Sequence, residues 1–337
     1  MRPLFATAAL IACFAVPARG EDERELEKFY AGKTFVVNVG FSSGGIFDLY
    51  ARILSRHMGQ YIPGKPNVVV QNTPGAGGRR LASTFQTVGP RDGTTIGITT
   101  PGIVTDQIMQ GAAAQYDLRT FAWIGSPADE VNVLWTWHTS PVRTVEDARV
   151  HEAPLSSTGA GAPNYFVPRI LNQLLDTKFR VVTGYPGANE ADLAIERGEV
   201  AGRVSGWAGL KTTSDWVAAG KTQVLAQIGL RRLEDLPGKP LMTDLARNEK
   251  DRQVFEFLSL GPAMGRPFFM PPGTPPDRVA AIRRAFDATL RDPGFLEETR
   301  RGRLDVAPVS GGDLAGVVMK HFAVPPDVLA IAKTAME

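Results

Sequence analysis

Strand-like stretches alternate with amphipathic helices along this sequence, and the joints between them are rich in glycine. "KTFVVNVGFSSGG" (33–45) reads as a strand running into a Gly/Ser loop. In "IFDLYARILSRHMG", residues Ile46, Leu49, Tyr50, Ile53 and Leu54 recur at i, i+3, i+4, i+7 and i+8. That is one apolar helix stripe, and Gly59 supplies a C-terminal stop. "NVVVQN" (67–72) is the next strand, then the loop "TPGAGG" and a helix marked by Leu81, Phe85 and Val88; "TTIGITT" (94–100) is a third strand. Further on, "NVLWTW" (132–137), "APLSST" (153–158), "FRVVTGY" (179–185), "VAGRVSG" and "QVLAQIGL" read as strands. Phe166, Ile170, Leu171 and Leu174 mark a helix between them, and "ADLAIERG" marks a short one. "PFFMPPGTPPDRVAAIRRAFDATLRDPGF" gives a strand, a Pro/Gly turn and a helix carrying Val279, Ile282, Phe286 and Leu290. Such alternation indicates α/β architecture with parallel sheets. The 337 residues suffice for two domains. No long linker separates them, so short crossings must join the two.

The first 20 residues, "MRPLFATAALIACFAVPARG", carry Arg2, an apolar run from Leu4 to Val16 and a small-x-small site at Ala18-Arg19-Gly20. This reads as a Sec signal peptide, because the apolar run is well under the ~20 residues of a spanning helix. "LIAC", ending at Cys13, offers the competing reading of a lipoprotein signal, with very few apolar residues before the cysteine. Cys13 is the only cysteine, so the exported chain has no disulfide and no thiolate chemistry. No later segment is long and apolar enough to cross a bilayer. The 43% apolar content excludes disorder, and 35 Gly with 25 Pro exclude a coiled coil. Removing residues 1–20 takes away two arginines and leaves 35 basic against 35 acidic residues. A neutral balance points neither to nucleic acid nor to an anionic membrane.

Four loops share one design: 41–45 "FSSGG", 73–78 "TPGAGG", 157–164 "STGAGAPN" and 185–190 "YPGANE". Each lies between a strand and a helix. In open α/β sheets, ligands bind beyond the carboxyl ends of the strands, and the first-turn N–H groups of a helix favour an anion. Each helix terminus contributes about 0.3–1 kcal/mol, and charge-assisted hydrogen bonds about 1.5–3 kcal/mol each. Several together reach the roughly −8 kcal/mol of micromolar binding without a buried arginine. Plain connection and a shared anion site both remain open on the loops alone. Nucleotide motifs fail: Gly40 and Gly45 have Walker A spacing, but Ile46 stands where lysine is needed. The four histidines are scattered, which excludes a recognisable metal site, and no cofactor is expected. Ser205 sits in no nucleophile elbow. Asp48 either reaches the pocket or stabilises its own helix as a first-turn carboxylate. His57 falls where a helix end attracts it. Trp135, Trp137 and Trp207 read as core or hinge packing, and Arg79-Arg80, Arg231-Arg232 and Arg300-Arg301 as solvated faces.

"FYAGKTFVVNVGFSSGGIFDLYARILSRHMGQYIPGKPNVVVQNTPGAGG" resembles the N-terminus of Bug-type substrate-binding proteins of tripartite tricarboxylate transporters. "GYPGANEADLAIERGEVAGR" and "MGRPFFMPPGTPPDRVAAIRRAFDATLRDPGF" resemble a branch of the same family. The resemblance implies a two-lobe, type II periplasmic-binding-protein fold, each lobe a mostly parallel sheet flanked by helices. It places a discontinuous first lobe at 26–124 plus 252–337 and a second at 125–251. It also implies a periplasmic, non-enzymatic receptor that takes up a small organic acid between the lobes. Backbone N–H groups and waters would hold the carboxylates, and one small and one large transporter membrane subunit would be the partners. By position, the first lobe would contribute Ser42, Ser43, Gly44, Gly45, Asp48, then Pro74, Gly75, Ala76, Gly77 and Gly78, with Thr99 and Thr100 as floor. The second would contribute Thr158, Gly159, Gly161, Ala162, Asn164, Tyr185, Gly187, Ala188 and Asn189, with Ser205 and Trp207 at the wall. The chain departs from the family in Ser42-Ser43 before Gly44-Gly45, whose hydroxyls would add donors to a carboxylate, and in Pro186 and Glu190; a Glu190 facing the cleft would disfavour a highly charged anion and put a tricarboxylate in doubt.

Two other functions remain as alternatives. One is a periplasmic enzyme using Asp48 or Glu190 as base on a carboxylated substrate, although no nucleophile–base pair accompanies either. The other keeps the receptor but couples it to a membrane sensor kinase.

Overall fold

The computed structural model describes residues 19–335 apart from residue 214. Of the expected signal segment, residues 1–18, Cys13 among them, lie outside the described residues. Strand burial follows the periodicity of the sequence. β1 (Thr34–Val39) turns Phe35, Val37 and Val39 into the core and alternates with less buried positions. β2 (Asn67–Asn72) is half-buried at an edge, whereas β3 (Thr95–Ile98) is buried at every position. The remaining strands are β4 (Ala122–Ser126), β5 (Asn132–Trp137), β6 (Ala153–Ser157), β7 (Phe179–Thr183), β8 (Gly202–Gly206), β9 (Thr222–Ile228), β10 (Phe268–Met270) and β11 (Val309–Ser310).

They form two sheets, in the orders β11-β4-β10-β3-β1-β2 and β7-β6-β8-β5-β9. β1 pairs in parallel with β2 (Val36 opposite Val69) and with β3 (Val36 opposite Thr95), and β6 pairs in parallel with β7 and β8. β10 is antiparallel to both neighbours, β11 to β4, and β5 to β8 and β9. Four strands of the first sheet and four of the second therefore point one way, with β10, β11 and β5 reversed. The chain crosses from the first sheet to the second over residues 127–131 and returns through the helix Glu249–Leu260 to β10.

Helices follow the apolar stripes. Ile46–Met58 buries Tyr50, Ala51, Ile53, Leu54 and Met58 against β1 and the helix Pro276–Thr289. Burying each large apolar side chain contributes about 1.5–3 kcal/mol. This helix ends at Gly59, but the glycine keeps φ −55° and leads into a 3₁₀ turn, Gly59–Tyr61. The helix Arg79–Thr87 ends one residue before Val88, which is exposed. Trp135, Trp137 and Trp207 join Trp216 in one core cluster, with Trp137 and Trp216 edge-to-face at 4.8 Å. Arg79 departs from the expected solvated face, because it is half-buried and grips Asp106 with two nitrogens. Among the described residues no single helix is long and apolar enough to cross a membrane.

Candidate functional site

β1, β3, β6 and β8 all end at one crevice between the sheets, where a partly open cavity of about 100 Å³ lies. The reversed strands bring their opposite ends to the same place. Asn132 opens β5, and Gly265 and Arg266 lead into β10. Helix N-termini complete the wall at Gly45–Asp48, Pro101, Ala162–Asn164 and Ala188. They belong to the helices Ile46–Met58, Gly102–Gln110, Pro163–Leu175 and Ala188–Glu196. None of these four helices has a side-chain cap at its N-cap position, which is Gly45, Pro101, Ala162 or Gly187. Away from the cavity, Asn248, Asp292 and Ser310 cap their helices, whereas Arg79–Thr87, Pro276–Thr289 and Pro326–Thr334 have no side-chain cap either. In Gly102–Gln110, Gly102 N still donates to Thr100 Oγ1 at 3.3 Å and Ile103 N to Thr100 O at 3.2 Å, so the helix starts at this shared space without a capping side chain are three, those of Ile46–Met58, Pro163–Leu175 and Ala188–Glu196.

Of the residues expected at the site, Gly45, Asp48, Thr100, Thr158, Ala162, Asn164, Ala188 and Ser205 line this cavity. Others hold the two halves together around it. Ser42 Oγ donates to Glu190 at 2.8 Å and Ser42 N to Pro186 O at 3.2 Å. Asn189 Nδ2 donates to Ser43 O at 2.9 Å, and Gly161 N to Ala76 O at 3.2 Å. Gly77 packs so closely on 159–162 that a Cβ there would stand 2.7 Å from Ala162 N and Gly159 O. Gly44, Gly159 and Gly187 touch the opposite half in the same way. Pro74, Gly75 and Gly78 shape the 73–78 loop, and Thr99 is buried beneath Gly40 and Gly78. Tyr185 packs beside the tryptophan cluster. Trp207 belongs to that cluster, and its Nε1 donates to Asp235 at 3.1 Å.

Two of the wall residues organise their own loops. Asp48 is buried and accepts hydrogen bonds from Gly44 N (2.8 Å), Arg52 Nε (2.7 Å) and Asn72 Nδ2 (2.9 Å). Burial pushes its carboxyl up, but the bonds from Arg52, Gly44 and Asn72 outweigh this and hold it below the usual carboxylate range. Both readings of Asp48 thus meet: it lines the cavity, and its oxygens are committed to the first loop. Asn164 Oδ1 accepts from Ser157 Oγ, Thr158 N and Thr158 Oγ1, which fixes the start of the 157–164 loop.

The cavity also holds charged groups absent from the expected site. Arg266 and Glu130 form an ion pair whose side chains are only 3% and 5% exposed. The Arg266 guanidinium lies over the rings of Phe47 and Tyr50, at 5.4 and 5.2 Å. Burial pushes the Tyr50 hydroxyl up to about 12 despite the opposing effect of Arg266. Arg203, in β8, pairs with Asp192 at 2.8 Å, and both are largely buried. Burial pushes the Asp192 carboxyl above its usual range, with Arg203 working against it. In both arginines the buried Nε–H has no hydrogen-bond partner. One signal marked them in the sequence: a charge set inside or directly before a buried strand, in "GRVSG" and "GRPFFM".

The family described as the tripartite tricarboxylate transporter family receptor matches residues 50–323. The periplasmic binding protein BugD superposes with a TM-score of 0.71 at 22% identity, covering 91% of this chain and 99% of BugD. MatC from Rhodopseudomonas palustris, with bound malate, gives 0.69 at 18% identity over 90% and 99% of the two chains. A second R. palustris protein, with adipate, gives 0.68 at 21% identity over 89% and 97%. At these identities the likeness shows the fold, that of the periplasmic binding proteins. The match across 50–323 goes further: this chain belongs to the receptor family of the tripartite tricarboxylate transporters.

Proposed function

We propose that this receptor captures a small organic acid in the cavity between its sheets and delivers it to the small and large membrane subunits of a transporter. The observation that carries this is the meeting of three helix N-termini without side-chain caps at one cavity. Their N–H groups and dipoles favour a carboxylate. The malate and adipate bound by two structural neighbours support the same ligand class. We place the lobes at 26–124 plus 252–337 and at 125–251, and assign the chain to the periplasm after removal of residues 1–20. It acts by binding, and turnover of a bound acid would contradict this.

Gly45→Asp tests the site. Gly45 has φ −77° and ψ 170°, and a Cβ there would meet only Ala188 Cβ, at 3.6 Å. Aspartate is a favoured N-cap residue in that conformation, so the ligand-free protein should unfold at the same temperature or higher. Its carboxylate would cap the first-turn N–H groups of Ile46–Met58 and repel an anion, and acid binding should fall at least a hundredfold. Near-normal affinity in calorimetry would contradict the placement of the ligand.

A further inference from the structure

The second sheet ends at β9, and the outer side of that strand is open for most of its length. Among the described residues it is bridged there at one point, Gln227 with Leu241, where Gln227 N donates to Pro240 O at 2.8 Å. On the inner side, His138 N donates to Lys221 O at 2.9 Å. Alternation along the strand then turns the backbone of Gln223 toward β5 and the N–H and C=O groups of Thr222 and Val224 outward. A groove of about 700 Å³ lies against these residues. Trp207, Val224 and Leu236 give it an apolar wall, and Arg143, Lys211, Lys239 and Asp235 give it charge. Asp235 is taken by Lys211. Arg143 and Lys239 have no carboxylate partner among the described residues, whereas the exposed Arg231 and Arg232 are paired with Asp129 and Asp244. Charges that blunt an edge against aggregation sit on the edge strand itself. These three cations come instead from three other segments: the residues before the helix Asp147–Val150, the helix Trp207–Thr213 and the stretch after β9.

We propose that this groove is a docking site for an extended, acidic segment of a partner protein, which adds to the second sheet as a strand beyond β9. Its backbone pairs with the outward N–H and C=O groups of Thr222 and Val224, the mode of strand addition at an open edge. Every second side chain then faces the apolar wall, and the others carry carboxylates toward Arg143 and Lys239. A helix cannot use the open backbone groups, because its own are already paired. A lipid surface does not need them. A second copy of this chain does not fit, because a two-fold contact would bring the same cationic groove against itself. The groove shares no lining residue with the cavity between the sheets, so the proposal stands whatever that cavity binds.

Selection of random octapeptides displayed on phage against the wild-type chain tests this. Enriched sequences, synthesised with a fluorescent label and measured by anisotropy, should carry Asp or Glu at alternate positions. Their affinity should fall tenfold or more in the double variant R143E/K239E. It should also fall tenfold or more when alternate amides of the peptide are N-methylated, which removes the donors that strand pairing needs. No enriched peptide, enriched peptides without an excess of acid, or wild-type affinity in R143E/K239E overturns the proposal. Unchanged binding of the N-methylated peptide overturns it too, because the backbone edge would then take no part. Phosphatidylglycerol vesicles that bind the wild type but not R143E/K239E, with no peptide enriched, would assign the groove to a membrane instead. Circular dichroism melting shows whether R143E/K239E folds. If it does not, hydrogen exchange on the wild type decides: the enriched peptide should slow exchange at Thr222 and Val224, and unchanged exchange there refutes the docking site.

Discussion

His321 illustrates how one buried side chain ties stability to pH. It is fully buried in the helix Gly311–Phe322, against the Phe257 ring and 3.1 Å from Thr105 Oγ1. Burial lowers its pKa to about 4 from an unfolded value of 6.5. The unfolded chain therefore binds the proton first as pH falls. Stability due to this group is complete above pH 6.5 and is lost between 6.5 and 4, by roughly 3 kcal/mol. His321→Gln should flatten that part of a curve of unfolding free energy against pH, at some cost in stability at neutral pH. An unchanged slope between 6.5 and 4 would show that the imidazole is not kept neutral. The Arg266–Glu130 pair belongs to the same scale. Removing one partner of a buried pair costs about 3–5 kcal/mol, because the other charge is left without compensation. Its residues were not readable as a pair, since 136 positions separate them and only the fold brings them together.

At the level of elements, helices and strands were legible because burial tracks period. β2 and β5 occupy the stretches read from the sequence, 67–72 and 132–137, and the helix from Ile46 starts at the first residue of its stripe. Strand direction was not legible. β5 and β10 have the same apolar character as the strands beside them, and only pairing across the sheet reveals that they run the other way. Reversal brings the residues that precede these strands to the site, so Glu130, Asn132 and Arg266 were missed while the loops after parallel strands were found. The loops themselves divide into those that line the cavity and those that meet across it. Gly161 is of the second kind: a Cβ there would stand 2.9 Å from both Ala76 O and Gly77 O. Gly161→Ala should therefore keep each sheet folded but hold the two halves apart. Ligand affinity should fall tenfold or more, and small-angle scattering with ligand should show a larger radius of gyration than wild type. Wild-type affinity and dimensions would mean that the 73–78 and 157–164 loops do not need to touch.

Across the whole molecule, two mixed sheets are joined by a short crossing at 127–131, and the loops from each meet around one cavity. Hydrogen bonds between the halves include Ser42 to Glu190, Asn189 to Ser43 and Gly161 to Ala76. Each is worth about 0.5–1.5 kcal/mol, and a ligand touching both halves adds to the closed arrangement alone. The direct measurement is a thermal-shift comparison of the wild-type chain with mono-, di- and tricarboxylates alongside their neutral amides and cationic amines. At 100 times its dissociation constant, a ligand adds about 2.7 kcal/mol, a rise of several degrees for a chain of this size. A rise with carboxylates and none with their amides is expected if the helix N-termini hold an anion. A rise confined to the neutral or cationic compounds would contradict an organic-acid receptor.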